Sequence, residues 1–115
     1  MSTSALAVVP PVCPISAAGG KSKHRLVNQS AVKLAYKVKC TNNSNYSVNK
    51  VYGFVDVGEE GGLEITRIAG KPKADKLIVQ YVQPAPDHTD PKQAFEPGYQ
   101  SEVVGETVVK LSAAE

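Results

Sequence analysis

The fold is decided by residues 34–41, which read LAYKVKCT and alternate between apolar and polar side chains. Successive residues of a β-strand point to opposite faces, so this alternation predicts a half-buried strand. The face predicted to be buried carries Leu34, Tyr36, Val38 and Cys40. The opposite face, with its lysines predicted to lie in water, carries Ala35, Lys37, Lys39 and Thr41.

A second alternating segment lies at residues 76–83, which read KLIVQYVQ. Leu77, Val79 and Tyr81 share the face predicted to be buried. The outer face would carry Lys76, Ile78 and Gln80. Ile78 is thus expected to be an outward apolar side chain between polar neighbours.

The rest of the chain is typical of an all-β protein, because Val, Ile, Thr and Tyr dominate its apolar stretches and Gly, Asn, Pro and Asp punctuate them. Strands are predicted near residues 6–9, 12–16, 23–27, 34–41, 52–57, 63–68, 76–83 and 102–111. Prolines between and within the first two segments predict a single edge strand that bends or switches between sheets. Residues 58–62 are predicted to form a tight turn, and residues 84–98 the longest loop.

Length and composition favour a single globular domain spanning residues 1–115. The 115 residues are 42% hydrophobic and 21% charged, which is enough apolar content for a packed core. A net charge of +2 is too small to favour nucleic acid as a partner. About 20 consecutive apolar residues are needed to cross a membrane, and the sequence has no such run. We therefore expect no insertion into a membrane. Cys13 and Cys40 are expected to be free thiols in the core.

Several short motifs suggest chemistry, but each has a simpler interpretation. Residues 19–22, GGKS, resemble the end of a phosphate-binding loop but lack its first glycine. Asp87, His88 and Asp90 match no defined metal-site spacing, and His24 has no nucleophile motif to pair with. The basic residues around Lys23 lack interleaved aromatic side chains, so a solvated surface is expected. We therefore predict no catalytic residue, metal site or cofactor.

A family resemblance is carried by residues 35–41, AYKVKCT, preceded by residues 28–30, NQS, and followed by residues 51–58, VYGFVDVG. Together with residues 75–81, DKLIVQY, they resemble the major sperm protein (MSP) domain. The whole chain looks like the nematode sperm-specific family, class P, with local similarity to VAMP-associated proteins. The resemblance implies a seven-stranded immunoglobulin-like β-sandwich of the PapD-like type.

The resemblance also implies a binding site. In VAMP-associated proteins, two neighbouring strands form a basic groove that binds short acidic peptides containing two phenylalanines. Transferred by position, the groove of this chain would consist of Lys37, Lys39, Thr41, Lys76 and Ile78. All five residues belong to the faces that the alternation predicts to point outward.

The resemblance implies a protein-interaction module of nematode sperm cytoplasm with no enzymatic activity. Its partner would be a protein or a short acidic peptide, bound by a monomer or weak homodimer. The alternative comes from the motility branch of the family, whose members form dimers that polymerise into filaments. That branch implies a self-assembling cytoskeletal element.

Overall fold

A computed structural model describes residues 5–114, so residues 1–4 and 115 of the predicted domain lie outside the described residues. The described chain is built from strands and one short 3-10 helix, Pro91–Phe95. In chain order the strands are β1 (Leu6–Val9), β2 (Val12–Ser16), β3 (Gly19–Asn28), β4 (Leu34–Cys40), β5 (Tyr46–Val48), β6 (Tyr52–Val55), β7 (Glu60–Ile68), β8 (Ala74–Val82) and β9 (Val104–Ala114).

The strands form two sheets that pack face to face. One sheet has four strands in the order β1-β3-β7-β5, and the other has five in the order β2-β9-β8-β4-β6. This arrangement confirms the prediction of an all-β immunoglobulin-like sandwich. It differs from the seven-stranded expectation because β1 and β2 are separate strands and β5 is an additional short one.

The predicted switch of the first strand between sheets is confirmed. β1 pairs antiparallel with β3 in the four-stranded sheet, whereas β2 pairs parallel with β9 in the five-stranded sheet. Pro10 lies between them and follows a cis peptide bond. Since proline has no N–H to donate, its place at the crossing costs neither sheet a hydrogen bond.

Two predicted boundaries are wrong. Of the turn expected at residues 58–62, Gly58 alone has a positive φ, and β7 already begins at Glu60. Gly61 and Gly62 pair with Leu26 and Arg25 of β3, so pairing outweighs the preference of glycine for turns. The last strand begins at Val104, so Glu102 lies in the preceding bend rather than at the start of β9.

The core lies between the sheets and uses the predicted inward faces. Leu34, Tyr36 and Val38 of β4 are buried, as are Leu77, Val79 and Tyr81 of β8. Burying each leucine-sized side chain contributes roughly 1.5–3 kcal/mol to folding. Cys13 is buried as predicted, but Cys40, the last residue of β4, is only half-buried.

A second, smaller cluster covers part of the outer face of the five-stranded sheet. Ala35 points outward as predicted, yet it is fully buried together with Val82 and Ala94. The 3-10 helix within the loop between β8 and β9 supplies Ala94 and packs over this corner. The remainder of the face stays uncovered and holds the site described next.

Candidate functional site

Antiparallel pairing of β4 with β8 brings the five predicted site residues onto the outer face of the five-stranded sheet. Lys39 lies directly opposite Ile78, and Lys37 lies opposite Gln80. Thr41 follows the end of β4, where the backbone N–H of Lys76 donates to its hydroxyl at 3.0 Å. Cross-strand partners share a face, so the five residues form one continuous surface.

The neighbouring strand β9 adds two residues to this surface. Val108 lies opposite Ile78, and Lys110 lies opposite Lys76. Ile78 is half-buried while Val108 is 43% exposed, so the two form an apolar patch in the middle of the sheet. We call Lys37, Lys39, Thr41, Lys76, Ile78, Val108 and Lys110 the lysine face.

The sequence had not identified Val108 and Lys110, because their place depends on the register between β8 and β9. The sequence does indicate that Val108 and Lys110 share one face of a predicted strand, because they are two residues apart. It does not indicate which residues of other strands lie beside them.

At one end of the lysine face, three lysines surround a groove of about 500 Å³. Its lining includes Lys73, Lys76 and Lys110 together with Thr41. The side chain of Asp75, which is 3% exposed, accepts hydrogen bonds from the Thr41 hydroxyl at 3.3 Å and the Asn42 amide at 3.2 Å. The buried carboxylate therefore orients Thr41, and it also lies 3.7 Å from Lys73 Nζ. Lys76 and Lys110 are exposed and can meet an anionic partner.

At the other end, aromatic rings accompany the cations. Lys37 Nζ lies 5.6 Å from the centre of the Tyr52 ring, and Lys92 Nζ lies 5.5 Å from the same ring. The ring of Phe95 packs edge-on against the ring of Tyr52, with 5.9 Å between the two ring centres. Such cation–π contacts are worth about 0.5–1 kcal/mol at exposed sites, so they bias Lys37 toward β6. Sequence reasoning had not connected Tyr52 and Phe95 with this face.

A carboxylate, that of Glu106, borders the lysine face. Glu106 lies opposite Gln80, whereas Glu102 precedes β9. Lys110 lies four residues further along β9 than Glu106, opposite Lys76 of β8. The face is thus positive at the Thr41 end, apolar in the middle, and mixed in charge toward Glu106.

The other motifs have structural roles. Residues 19–22 lie within β3 rather than in a loop before a helix. His24 is buried, and its Nδ1 donates to the Pro10 carbonyl at 2.8 Å while Nε2 lies 2.8 Å from the Ser22 hydroxyl. His88 packs against Tyr99, and Asp90 caps the 3-10 helix. Within residues 5–114, no cluster of His, Cys, Asp and Glu is placed to hold a metal.

Neither cysteine is arranged as a nucleophile. Burial raises the pKa of the Cys13 thiol, and burial likewise raises the pKa of Cys40. The Cys40 thiol also donates to the Asn42 carbonyl at 3.4 Å. A raised pKa lowers the thiolate fraction at neutral pH, so both side chains are expected to react slowly.

None of the helices in residues 5–114 has the length and apolar content needed to cross a bilayer.

Comparison with known proteins supplies the family. The family model of the MSP (major sperm protein) domain matches residues 5–102. An uncharacterized protein of Caenorhabditis elegans is 56% identical over 107 residues, which span 92% of this chain and 93% of that protein. Sperm-specific class P protein 31 of the same nematode is 47% identical over 105 residues, with 91% and 95% covered.

A solved structure agrees with this assignment. That of WR4, an MSP family member of Caenorhabditis elegans, superposes with a TM-score of 0.88 at 42% identity and covers 97% of this chain and 100% of its own. The matched region includes β4, Thr41 directly after it, and β8, and so contains the five site residues predicted from sequence. This chain belongs to the major sperm protein domain family.

Proposed function

We propose that this chain is a non-enzymatic interaction module of nematode sperm cytoplasm, which binds acidic segments of partner proteins through the lysine face. The observation that carries the proposal is the row formed by Lys39, Ile78 and Val108, with Lys76 and Lys110 beside it. Sperm as the cellular setting is supported by the name of the class P relative.

Charge would bring the partner to the face. Lys39, Lys76 and Lys110 are exposed, so their ammonium groups act on an approaching anion through water. At physiological salt this attraction extends over about 8 Å, which favours fast encounter more than tight binding. An acidic stretch is expected to lie along the groove beside Thr41, where these charges are densest.

Apolar contact would hold the partner in place. Ile78 and Val108 lie opposite each other and offer a small apolar floor. Covering it with an aromatic side chain removes apolar area from water, at roughly 25 cal/mol per Å². The preferred partner is therefore an acidic segment that also carries a phenylalanine.

Fluorescence anisotropy can test the proposal with a labelled peptide of sequence Glu-Glu-Asp-Glu-Phe-Phe-Asp-Ala. Lys39→Glu and Lys76→Glu should each lower its affinity about tenfold, since each replaces an attraction with a repulsion. Lys23→Glu is the matched control, because Lys23 is exposed on β3 in the opposite sheet and the net charge changes equally.

The Lys23→Glu control distinguishes binding at the lysine face from a general attraction of the peptide to the net positive charge of the chain. Equal losses for Lys23→Glu and Lys39→Glu would mean that net charge alone governs binding. Failure of the unaltered chain to bind the peptide at low salt would contradict the proposal directly.

A further inference from the structure

The last strand, β9, is paired along its whole length on one side but only in part on the other. Residues 104–112 pair with β8, whereas β2 pairs with β9 from Lys110 to Ala114. Within residues 5–114, no strand pairs with this second side between Val104 and Val108. We call that stretch the open edge of β9.

Hydrogen-bond directions show which backbone groups face the open edge. On the β2 side, the Lys110 N–H donates to Pro11 and the Ala114 carbonyl accepts from Ala17. On the β8 side, the Val103 carbonyl accepts from Gln83. Because the direction alternates along a strand, the N–H and C=O groups of Val104, Glu106 and Val108 point to the open edge.

The first strand passes close to this edge without pairing with it. The Thr107 hydroxyl donates to the Leu6 carbonyl at 2.7 Å, which ties β1 to β9 through a side chain on the inner face. β1 makes its backbone pairs with β3 in the other sheet. The open edge therefore keeps a row of backbone donors and acceptors that another extended chain can use.

Side chains around the open edge are apolar and exposed. Val104 is 65% exposed, the highest value among large apolar side chains in the described chain, and Val108 is 43% exposed. Beside Val104 lies a shallow groove of about 410 Å³, whose lining includes Val82 and Phe95. Edge strands are usually protected by charge, proline or shortness, and this edge has only Glu106.

We propose that the open edge of β9 binds an extended segment of a partner protein as an additional strand of the five-stranded sheet. The segment would carry apolar residues opposite Val104 and Val108, and a basic residue opposite Glu106. Backbone hydrogen bonds would supply affinity, and the alternating side chains would supply specificity. This site shares Val108 with the lysine face, but it uses backbone groups of β9 and does not depend on Lys39 or Lys76.

Charge indicates why the added strand comes from a different chain. Antiparallel pairing of two copies along the whole open edge would place Val104 opposite Val108 and Glu106 opposite Glu106. Like charges directly opposite each other in a sheet are destabilising. A lysine or arginine at that position would instead add a favourable cross-strand pair of roughly 0.2–1 kcal/mol.

Amide NMR of the full chain, labelled with nitrogen-15, tests the proposal with a peptide of sequence Thr-Val-Thr-Lys-Thr-Val-Thr. The free protein should show rapid hydrogen exchange at the amides of Val104, Glu106 and Val108. Saturating peptide should slow this exchange about tenfold or more, since the amides gain partners. A peptide with glutamate in place of lysine should bind about tenfold more weakly.

Two kinds of variant locate the binding. Glu106→Pro removes one edge-facing N–H, leaves the β8 pairing of Gly105 and Thr107 in place, and should abolish binding. If proline unfolds the chain, the double variant Val104→Thr and Val108→Thr keeps the backbone and should still weaken binding. Lys39→Glu should leave this peptide bound, which separates failure of the open edge from failure of the lysine face.

Other results would overturn the proposal. They are no binding at millimolar peptide, shifts confined to the surroundings of Lys39 and Lys76, or amides at the open edge that are already protected in dilute free protein. Protection that grows with protein concentration alone would replace the partner strand with a second copy of this chain.

Discussion

Lys39 on β4 lies directly opposite Ile78 on β8, and Ile78 lies opposite Val108 on β9. One row across the sheet thus places a cation beside two apolar side chains. The two kinds of group should contribute differently to binding, because salt screens charge but does not weaken apolar contact.

The first prediction concerns Ile78. Ile78→Ala should weaken binding of the acidic phenylalanine peptide about tenfold with an unchanged salt dependence, whereas Lys39→Glu should weaken it and flatten the salt dependence. Because Ile78 is half-buried, the cost in stability should stay near 1 kcal/mol. Anisotropy titrations at several salt concentrations measure both effects.

Ile68→Ala is the control for the Ile78 experiment. Ile68 is 60% exposed at the end of β7, in the other sheet. The Ile68→Ala variant should bind the peptide with the same affinity as the unaltered chain. A loss as large as that of Ile78→Ala would show that the effect is not local to the lysine face.

The sequence predicted which residues of β4 and β8 point outward, because apolar residues recur at every second position of both segments. It could not predict that Val108 and Lys110 join them, since the register of β9 against β8 is a tertiary property. Ala35 was correctly placed outward, but its burial under the 3-10 helix depends on a loop that has no periodic pattern.

The sequence-based predictions fail mainly at short strands and at glycine-rich strands. β5 is three residues long, too short for a period, and lies in a polar region that favours turns. Residues 60–62 were assigned to a turn because of their glycines, yet they pair with β3. In both cases contacts with a neighbouring strand outweigh local preference.

The second prediction concerns Gly53, which lies opposite Tyr36 in the pairing of β6 with β4. A Cβ added at Gly53 would collide with the Tyr36 ring in the core. Gly53→Ala should therefore lower the free energy of unfolding by about 1–3 kcal/mol, as overpacking does. Urea denaturation measures the change.

Gly62→Ala is the matched substitution on β7, where an added Cβ would meet no atom within 4 Å. Its stability should be unchanged or slightly increased, because alanine has less conformational entropy to lose on folding. Equal destabilisation by both variants would contradict the proposed role of the Tyr36 ring.

The third prediction concerns Arg67, a buried cation on β7 with 2% exposure. Its Nη2 donates to the Lys71 carbonyl at 2.9 Å and its Nε donates to the Ala17 carbonyl at 3.4 Å. The guanidinium carbon lies 5.0 Å from the centre of the Tyr46 ring. Arg67→Ala should lower the free energy of unfolding by about 2–4 kcal/mol, through lost hydrogen bonds and lost packing.

Arg25→Ala provides the exposed comparison for Arg67. Arg25 pairs with Glu60 at 2.9 Å on the surface, and such pairs are worth about 0–1 kcal/mol. Arg67→Met should cost less than Arg67→Ala, since methionine retains the packing of the stem and removes the buried charge. If Arg25→Ala were the more destabilising variant, burial would not explain the role of Arg67.

The fourth prediction uses the difference between the two cysteines. Cys40 is half-buried at the end of β4, and Cys13 is buried within the core. Iodoacetamide should therefore modify Cys40 in the native protein and Cys13 only after unfolding, as mass spectrometry of the labelled peptides can show. Because burial raises the pKa of Cys40, its modification at pH 8 should be slower than that of a cysteine in an unfolded peptide, and it should accelerate as pH rises.

The raised thiol pKa also fixes the sign of a stability effect. Burial raises the pKa of Cys13 in the folded chain, so the folded state holds that proton more tightly than the unfolded state. Its contribution is fully present below the unfolded pKa of about 8.5 and is lost as pH rises toward the folded value. Urea denaturation at increasing pH above about 8.5 measures this loss of stability. Cys13→Ala should reduce the loss, and an unchanged pH dependence would exclude Cys13 as its source.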